Sequence, residues 1–232
     1  MNSIVTAENL TKRFGKKLVL DRVSFDILPG RIVGLMGENG TGKTTILKIL
    51  ADQYKADEGM VRINGIPVSS QTHKHVSYML NEINVYPWMR IRSLINYYTD
   101  MFSDFQSEKA YTICDQLELH PKDYFWELSK GNMERVLLML SISRKASLYL
   151  LDEPISGLDP RMKNSIIKMI VSNMEDNASM IIASHMLRDL EEIFDDLLIL
   201  HQHHMIKASS EDIREQYGKS VEEYFLEVTN HA

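Results

Sequence analysis

Apolar and polar residues follow three different patterns along this chain. In the first third, short apolar runs are separated by turn residues such as Pro29-Gly30 and Asn64-Gly65, which is typical of strands. The predicted strands cover residues 4–10, 23–27, 32–36 and 60–63. A Gly-rich segment follows the third of them, and apolar residues at helical spacing then predict a helix over 44–50. This part of the chain therefore contains a strand, a Gly-rich loop and a helix in succession.

The middle of the chain, from about residue 91 to residue 145, has a helical pattern. Its apolar residues recur at intervals of three and four, as they do along one face of a helix. They include Leu94, Tyr97, Tyr98, Met101, Ala110, Ile113, Cys114 and Leu117. We interpret this segment as a helical insertion.

The last third returns to alternating strands and helices. Residues 148–151 and 180–183 are apolar throughout, as expected for strands that are buried on both faces of a parallel sheet. Asp159-Pro160 predicts the start of a helix between them, with Asp as the N-cap and Pro at the first helical position. The whole pattern predicts an α/β fold with a mostly parallel core sheet, an antiparallel N-terminal portion and a helical subdomain.

Two local signals follow near the end of the chain. The apolar runs 197–200 and 205–208 flank Gln202-His203-His204, which predicts a hairpin. Ser220 stands three residues before Glu223, the spacing of a capping box at the start of a helix.

Composition narrows the possible functions of the chain. Its 232 residues are enough for one sizeable α/β domain, and the net charge of −6 argues against a general nucleic-acid binder. Cys114 is the single cysteine, which excludes an intramolecular disulfide framework and fits a reducing compartment. The N-terminus lacks a basic region followed by an apolar stretch, and apolar runs such as 136–140 are far shorter than the ~20 residues of a membrane-spanning helix. We therefore expect a cytoplasmic protein that meets a membrane only through a partner.

The Gly-rich segment matches the phosphate-binding pattern G-x-x-x-x-G-K-[ST] in full. It reads Gly37-Glu38-Asn39-Gly40-Thr41-Gly42-Lys43-Thr44-Thr45. Glycines let backbone N–H groups turn towards phosphate oxygens, and the following helix adds the positive end of its dipole. We expect Lys43 to reach the β- and γ-phosphates, Thr44 to ligate Mg²⁺ and Thr45 to bond the α-phosphate. The alternative, an ordinary Gly-rich turn, does not account for the strand and helix on either side.

Two acids, Asp152 and Glu153, directly follow the predicted strand 148–151. Successive side chains of a strand point in opposite directions, so that adjacent acids can take different roles. We expect Asp152 to hold Mg²⁺ and Glu153 to orient the attacking water or accept its proton. The alternative interpretation is a pair of solvated loop acids, but a phosphate-binding loop upstream favours the Mg²⁺ and water roles.

Further motifs resemble those of the ABC ATPases over nearly the whole chain and in the same order. Leu128-Ser129-Lys130-Gly131-Asn132 resembles the signature LSGGQ, and Ser156-Gly157-Leu158-Asp159 resembles the D-loop. His185 stands where that family has its switch histidine, and Phe14 where it has the aromatic residue that stacks on adenine.

The resemblance implies an ABC-type P-loop NTPase with ATP and Mg²⁺ as ligands. It implies one domain over residues 1–232, with a helical subdomain at about 83–146 inserted in a RecA-like core. It also implies a head-to-tail homodimer or a heterodimer with a related ATPase. In that dimer, Ser129 and Gly131 of one subunit clamp the ATP of the other, and Asp159 lies at the interface.

The resemblance further implies a membrane-spanning subunit on a separate chain. This partner would dock near residues 81–88 and the helical insertion, with Tyr86, Pro87 and Trp88 as contacts. It would hold the ATPase on the inner face of the cell membrane. The LSKG form of the signature and the last segment of the chain resemble exporters of bacitracin, lantibiotics and peptide toxins. Export of a peptide, toxin or drug is therefore expected, without binding to nucleic acid.

Three positions depart from the family pattern. Lys130 and Asn132 replace the usual Gly and Gln of the signature, while Ser129 and Gly131 are kept. Asn81 stands where the family has the glutamine that meets Mg²⁺ and the attacking water. Its amide is one methylene shorter and can take the same role after a small shift, so that the rate is affected more than the activity.

Several features have simpler interpretations. Phe14 could be a core residue, His185 and Asp159 could cap helices, and Ser129 could be an N-cap with or without a second role. The histidines at 73, 75, 201, 203 and 204 lack acidic or Cys partners at ligand spacing, which favours a solvated hairpin and loop over a metal site. Two other functions remain: a non-transport ABC ATPase acting on the ribosome or DNA, and a sensor that binds ATP without hydrolysing it.

Overall fold

The computed structural model describes residues 3–79, 88–156, 158 and 160–230. Within these residues, ten strands form two sheets and eight α-helices connect or cover them. The strands are β1 (Val5–Phe14), β2 (Lys17–Ile27), β3 (Ile32–Met36), β4 (Glu58–Ile63), β5 (Ile66–Pro67), β6 (Val76–Tyr78), β7 (Leu148–Asp152), β8 (Ser179–Ala183), β9 (Asp196–His201) and β10 (His204–Ser209). The helices are α1 (Lys43–Leu50), α2 (Ile91–Met101), α3 (Ser107–Gln116), α4 (Lys130–Ile142), α5 (Pro160–Ser172), α6 (Leu187–Leu190), α7 (Ser210–Tyr217) and α8 (Val221–Asn230).

The first sheet is antiparallel, with the strand order β2-β1-β4-β5. The second has the order β10-β9-β3-β8-β7-β6, and all its neighbours are parallel except the hairpin of β9 and β10. Leu35 pairs with Ala183, and Asp152 pairs with Ala183 on the other side. The carboxyl ends of β3, β8 and β7 therefore meet at one edge of the sheet, and the loops that follow these strands lie together.

Two hydrophobic clusters cover the two faces of the larger sheet. Leu148 and Leu150 belong to the cluster that includes α1 and the antiparallel sheet, whereas Tyr149 and Leu151 belong to the cluster that includes α2 to α5. Successive side chains of a strand point to opposite faces, so a strand between two cores must be apolar at every position. Truncation of one such leucine to alanine would cost about 2–5 kcal/mol.

Helices α2, α3 and α4 lie in the chain between β6 and β7. Arg144, which follows α4, connects the end of that helix to β6 and to the residues before it. Its guanidinium donates to the backbone oxygens of Val76 at 2.8 Å and His73 at 3.1 Å, and pairs with Asp104 at 3.0 Å. The ring of Phe102 lies 4.1 Å from the same guanidinium. A buried cation with this many partners fixes α4 relative to β6 and α2.

The predicted α/β fold with a parallel core and an antiparallel N-terminal sheet is confirmed, and so are the hairpin and the capping box. His204 pairs with His201, and both turn residues between them have positive φ, as in a primed hairpin turn. Ser220 N–H donates to the carboxylate of Glu223 at 2.8 Å, and Glu223 N–H donates to the Ser220 hydroxyl at 3.2 Å.

Two predicted strand bounds are wrong, since β1 continues to Phe14 and β2 already begins at Lys17. The pairing of these strands shifts register three times between Ala7 and Arg13. Each shift in register breaks the two-residue alternation on which the prediction depended, and the basic residues around the turn hide the strand pattern further. The short strands β5 and β6 and helix α7 were not predicted.

Candidate active site

The phosphate-binding loop joins β3 to α1, and two of its glycines are required by space as well as by conformation. Gly37 has φ +151, and a Cβ atom there would lie 2.6 Å from the backbone oxygen of Leu200. Gly42 has φ +120, and a Cβ atom there would lie 2.7 Å from Cγ1 of Val19. Any side chain would push the loop away from β9 or β2, so these positions accept only glycine.

Lys43, the first residue of α1, folds its side chain back over the loop. Its Nζ donates to the backbone oxygens of Gly37 at 2.7 Å and Glu38 at 3.1 Å, and the Thr41 hydroxyl also donates to Glu38 O, at 2.9 Å. Burial lowers the pKa of the Lys43 amine, and the nearby charges of Glu153 and Asp152 oppose that shift. A desolvated ammonium group held by neutral carbonyl oxygens is ready to exchange them for phosphate oxygens.

Thr44 and Asp152 come together at the edge of the sheet. The Thr44 hydroxyl donates to Oδ2 of Asp152 at 2.7 Å, and Asp152 is only 2% exposed. Burial raises the pKa of the Asp152 carboxyl, the Thr44 hydrogen bond opposes this, and the charge of Glu153 adds to it. A hydroxyl and a carboxylate oxygen fit Mg²⁺, which prefers oxygen ligands and takes several of them from phosphates and water.

Glu153 is held at the same edge by the end of β8. Its own N–H donates to Ala183 O at 2.8 Å, and its φ is +52, an uncommon conformation for a residue with a long side chain. The Ser184 hydroxyl donates to Oε2 at 3.2 Å and the His185 N–H to Oε1 at 3.2 Å. The ring atom Nδ1 of His185 lies 2.7 Å from Oε1. The carboxylate is thus oriented by donors from the neighbouring strand.

Lys43, Thr44, Asp152 and Glu153 line one open cleft of about 500 Å³. The residues around it are Phe14, Lys17, Val19, Asn39, Gly40, Gly42, Lys43, Thr44, Thr45, Asp152 and Glu153. Phe14 is 45% exposed, so the interpretation of this residue as part of the core is wrong. The cleft therefore combines the exposed ring of Phe14, the phosphate-binding loop, and the acids Asp152 and Glu153 beside that loop.

The signature residues lie elsewhere on the chain's surface. The Ser129 hydroxyl accepts the N–H of Asn132 at 3.3 Å, so Ser129 is the N-cap of α4, and the Lys130 side chain is 91% exposed. Gly131 is open except for Leu158, which would lie 3.8 Å from a Cβ atom there. Ser129 and Gly131 are not among the residues that line the cleft. Their proposed contact with ATP stays a prediction.

Some predicted positions fall outside the described residues. They are Asn81, Gly157 and Asp159, together with Tyr86 and Pro87. Their predicted roles stay predictions, including the effect of Asn81 in place of Gln. Pro160 does begin α5, as the Asp-Pro pair predicts.

The His-containing hairpin lies beside the cleft. Nδ1 of His203 is 3.2 Å from the backbone oxygen of Val19, and Val19 lines the cleft. In the part of the chain that the structure describes, no group of three or more His, Cys, Asp or Glu residues is arranged to hold a metal ion. Within the same residues, no helix is long and apolar enough to cross a membrane.

Three residues of the site were missed by the sequence analysis. Lys17 and Val19 line the cleft but lie on a strand whose start was not predicted, and neither belongs to a motif. Ser184 holds Glu153, and its position directly before His185 was the available signal.

Comparison with known proteins agrees with this geometry. Residues 20–156 match the ABC transporter family. The chain is 33% identical over 205 residues to an uncharacterised ABC transporter ATP-binding protein of Methanocaldococcus jannaschii, covering 86% of this chain and 75% of that protein. It is 29% identical over 216 residues to the bacitracin transport ATP-binding protein of Enterococcus faecalis, covering 89% and 69%.

A solved structure of an ATP-binding subunit of an ABC transporter has the same fold. The TM-score is 0.88 at 22% identity, covering 98% of this chain and all of that one, so this likeness concerns the fold alone. The match over residues 20–156 and the 33% identity to the M. jannaschii protein lead to one conclusion. The chain belongs to the ABC transporter family, as an ATP-binding subunit that hydrolyses ATP.

Proposed function

We propose that this chain hydrolyses Mg²⁺-bound ATP in a head-to-tail dimer and thereby drives export through a separate membrane-spanning subunit. One observation carries the chemical part of this proposal: Lys43, the Thr44–Asp152 pair and the Glu153–His185 pair line or adjoin one cleft at the edge of the parallel sheet. We further propose that residues 1–232 form a single ABC domain, with the helical subdomain at about 83–146.

Each group of the cleft has a separate task in the proposed reaction. Lys43 and the loop N–H groups bind the phosphates, and Phe14 stacks on the base. Thr44 and Asp152 hold Mg²⁺, which when bound neutralises charge on the β- and γ-phosphates. Glu153 orients the attacking water and accepts its proton, because it lines the cleft and its carboxylate is held by fixed donors. His185 keeps that carboxylate in place.

The dimer is proposed because a single chain leaves the phosphate side of the cleft uncovered by its own signature residues. The cleft has no cover over the phosphate side from Ser129 or Gly131 of the same chain. In a second copy or a related ATPase, the start of α4 would offer a hydroxyl, backbone N–H groups and the positive end of a 13-residue helix. Such donors stabilise a γ-phosphate, and their departure after hydrolysis would open the dimer.

Glu153→Gln tests both the base and the dimer. We expect ATP binding to remain, turnover to fall by roughly 10²–10⁴-fold, and a stable dimer to form with Mg²⁺ and ATP. Light scattering after gel filtration, with and without ATP, measures the dimer. Glu134→Gln, a carboxylate on α4 in the neighbouring cavity of Met79, Lys130 and Glu153, is the matched control and keeps normal turnover. Normal hydrolysis by the Glu153 variant would refute the base assignment.

A groove at the C-terminal end of α1, away from the phosphate loop, supports a docking site for the membrane subunit. It has a volume of about 260 Å³ and lies between the end of α1, β6, α2 and the end of α4. Ala51, Tyr98, Phe102 and the aliphatic part of Arg144 form its walls. Tyr97 and Met101 are exposed on α2, the helix that contributes Tyr98 and Phe102 to the groove, at 39% and 58%. An apolar groove together with exposed apolar residues on one of its helices suits a short helix of the partner.

Affinity purification from membranes in mild detergent tests this docking. We expect the wild-type chain to recover a polytopic membrane protein without a phosphate loop, and Met101→Asp to lose it. Val171→Asp, at an exposed apolar position on α5, is the matched control and keeps the partner. Recovery of ribosomes or nucleic acid instead would favour a non-transport ABC ATPase, the alternative function.

The direction of transport and the class of substrate rest on similarity. The bacitracin transport ATP-binding protein of E. faecalis is one relative. The LSKG form of the signature also resembles that of bacitracin-type exporters. We expect ATP-dependent accumulation of labelled bacitracin or a related peptide in inside-out vesicles that contain this chain and its membrane partner. Uptake from the opposite side of the membrane would contradict export.

A further inference from the structure

We propose that Tyr54 and Asp57 are positioning residues that hold the Phe14 ring for the base of the nucleotide. Neither residue is among those that line the cleft. The inference rests on the proposed role of Phe14 as the base-stacking residue. The cleft would then distinguish a nucleotide from a bare triphosphate with the help of two residues, Tyr54 and Asp57, that do not line it.

Phe14 needs such support because of its place in the fold. It is the last residue of β1, it pairs with Lys17 across a tight turn, and Gly15 follows it. Nearly half of the residue is exposed. A ring at the end of a strand rotates freely unless neighbouring side chains restrict it, and ordering it on binding would reduce affinity.

The Tyr54 ring supplies a direct restriction. Its centroid lies 5.5 Å from that of Phe14, with the two ring planes at 69°, the edge arrangement that aromatic pairs prefer. Tyr54 is itself tied to the end of α1, because its N–H donates to Lys48 O at 3.1 Å and Nζ of Lys48 lies 5.2 Å from its ring centroid. The helix that begins at Lys43 in the phosphate loop thus ends against the support of Phe14.

Asp57 fixes the backbone that leads into Phe14. Its Oδ2 accepts the N–H of Arg13 at 2.6 Å, its Oδ1 pairs with Nζ of Lys12 at 2.9 Å, and its own N–H donates to Thr11 O at 2.9 Å. The Lys12 hydrogen bond, with that from Arg13, lowers the pKa of the Asp57 carboxyl, which therefore stays ionised at neutral pH. Nζ of Lys12 in turn lies 5.5 Å from the centroid of the Phe14 ring. The side chain of Phe14 and the backbone of the residues before it are thus both held.

Removal of Tyr54 or Asp57 should therefore weaken the affinity for ATP without slowing its hydrolysis. The groups that act on the phosphates, Lys43, Asp152 and Glu153, make no contact with Tyr54 or Asp57 among the interactions described for these residues. A loosened Phe14 ring weakens binding of the base alone. KM for ATP therefore rises while kcat stays the same.

The test uses the full chain and two probes, ATP and inorganic tripolyphosphate, which has no base. We expect Tyr54→Ala to raise KM for ATP about 3- to 10-fold, the range of an aromatic pair, with kcat within about twofold. Tyr54→Phe restores the wild-type KM, and Asp57→Asn raises it in the same way as Tyr54→Ala. The inhibition constant of tripolyphosphate is unchanged in all of them. Tyr217→Ala removes an aromatic contact with Tyr224 at 5.4 Å and is the matched control, without effect.

Phe14→Ala separates this inference from the function on which it rests. If Phe14→Ala raises KM for ATP, and Tyr54→Ala adds nothing to it in the double variant, the inference is supported. If Phe14→Ala raises KM and Tyr54→Ala does not, the inference is overturned and Phe14 keeps its role. If Tyr54→Ala weakens tripolyphosphate as much as ATP, Tyr54 acts on the loop as a whole and the inference is again overturned. An unchanged KM in Phe14→Ala overturns the role of Phe14 and this inference with it.

Discussion

Nδ1 of His185 lies 2.7 Å from Oε1 of Glu153, although 32 residues separate them in the chain. The two meet because β7 and β8 are adjacent parallel strands in register, with Asp152 paired to Ala183. An ionised carboxylate only accepts hydrogen bonds, so Nδ1 carries the proton in this contact. The carboxylate of Glu153 therefore fixes the tautomer of the His185 ring, and the ring in turn fixes the orientation of the proposed base.

Loss of this contact is the first prediction. His185→Ala leaves two donors on Glu153, the His185 N–H and the Ser184 hydroxyl, but frees the carboxylate to rotate. We expect kcat to fall on the order of 10²-fold with little change in the affinity for ATP, measured by steady-state hydrolysis and by binding of a fluorescent nucleotide. Ser184→Ala removes the longer contact, at 3.2 Å, and should lower kcat less. Equal effects of the two variants would contradict the proposed part of His185.

The lysine of the phosphate loop gives the second prediction. Lys43→Ala removes both the charge that meets the phosphates and the two hydrogen bonds to Gly37 O and Glu38 O. We expect nucleotide affinity to be lost and the free protein to be less stable by about 1–3 kcal/mol, because the loop carbonyls lose their donor. Nucleotide titration and thermal unfolding measure the two effects. Lys168→Ala, at an exposed position on α5, should change neither, and unchanged affinity in the Lys43 variant would remove the phosphate-loop assignment.

The third prediction concerns pH and the buried acid Asp152. Because burial raises its pKa, the folded protein binds this proton more tightly than the unfolded chain does. The resulting stabilisation is fully present below the ordinary carboxyl pKa and is lost as the pH rises through the raised value. Asp152→Asn escapes this loss while keeping an oxygen for the Thr44 hydroxyl.

We therefore expect the Asp152→Asn protein, free of nucleotide and Mg²⁺, to have a higher Tm than the wild type at neutral pH. Each kcal/mol recovered corresponds to about 2–4 °C for a chain of this size. The difference should shrink as the pH is lowered towards about 4, and hydrolysis should be absent throughout. Asp176→Asn, on the exposed surface, serves as the control. A difference in Tm that grows on acidification would have the wrong sign.

The fourth prediction separates the two roles of Ser129. As an N-cap it stabilises α4, so Ser129→Ala should lower stability by about 0.5–2 kcal/mol. Ser129→Asp keeps a good N-cap but brings a negative charge to the place proposed for the γ-phosphate of the other subunit. We expect normal Tm and no hydrolysis from this variant. Ser209→Asp, the equivalent change at the N-cap of α7, should keep both, and full activity of Ser129→Asp would refute the contact across the dimer.

Local features of the site were predictable because they depend on residues close together in the chain. The spacing of Gly37, Gly42 and Lys43 specifies a loop that binds phosphate, whatever the rest of the fold. The capping box of Ser220 and Glu223 joins residues three apart, and the continuous apolar runs before Asp152 and up to Ala183 indicate strands buried on both faces. The family resemblance, which these motifs and their order carried, is confirmed by the match over residues 20–156.

Contacts between distant residues were decided by the tertiary structure. Periodicity does not specify which strands are neighbours, and the meeting of Glu153 with His185 depends on β7 lying beside β8. The register shifts of β1, which continues to Phe14, occur in its pairing with β2 and β4 and leave no regular pattern in the sequence. The support of Phe14 by Tyr54 likewise depends on how the end of α1 lies against the antiparallel sheet. The sequence by itself determined which chemical groups this protein has, because motifs and caps are local. The tertiary structure alone decided which of these groups act together, because that depends on the order and register of strands far apart in the chain.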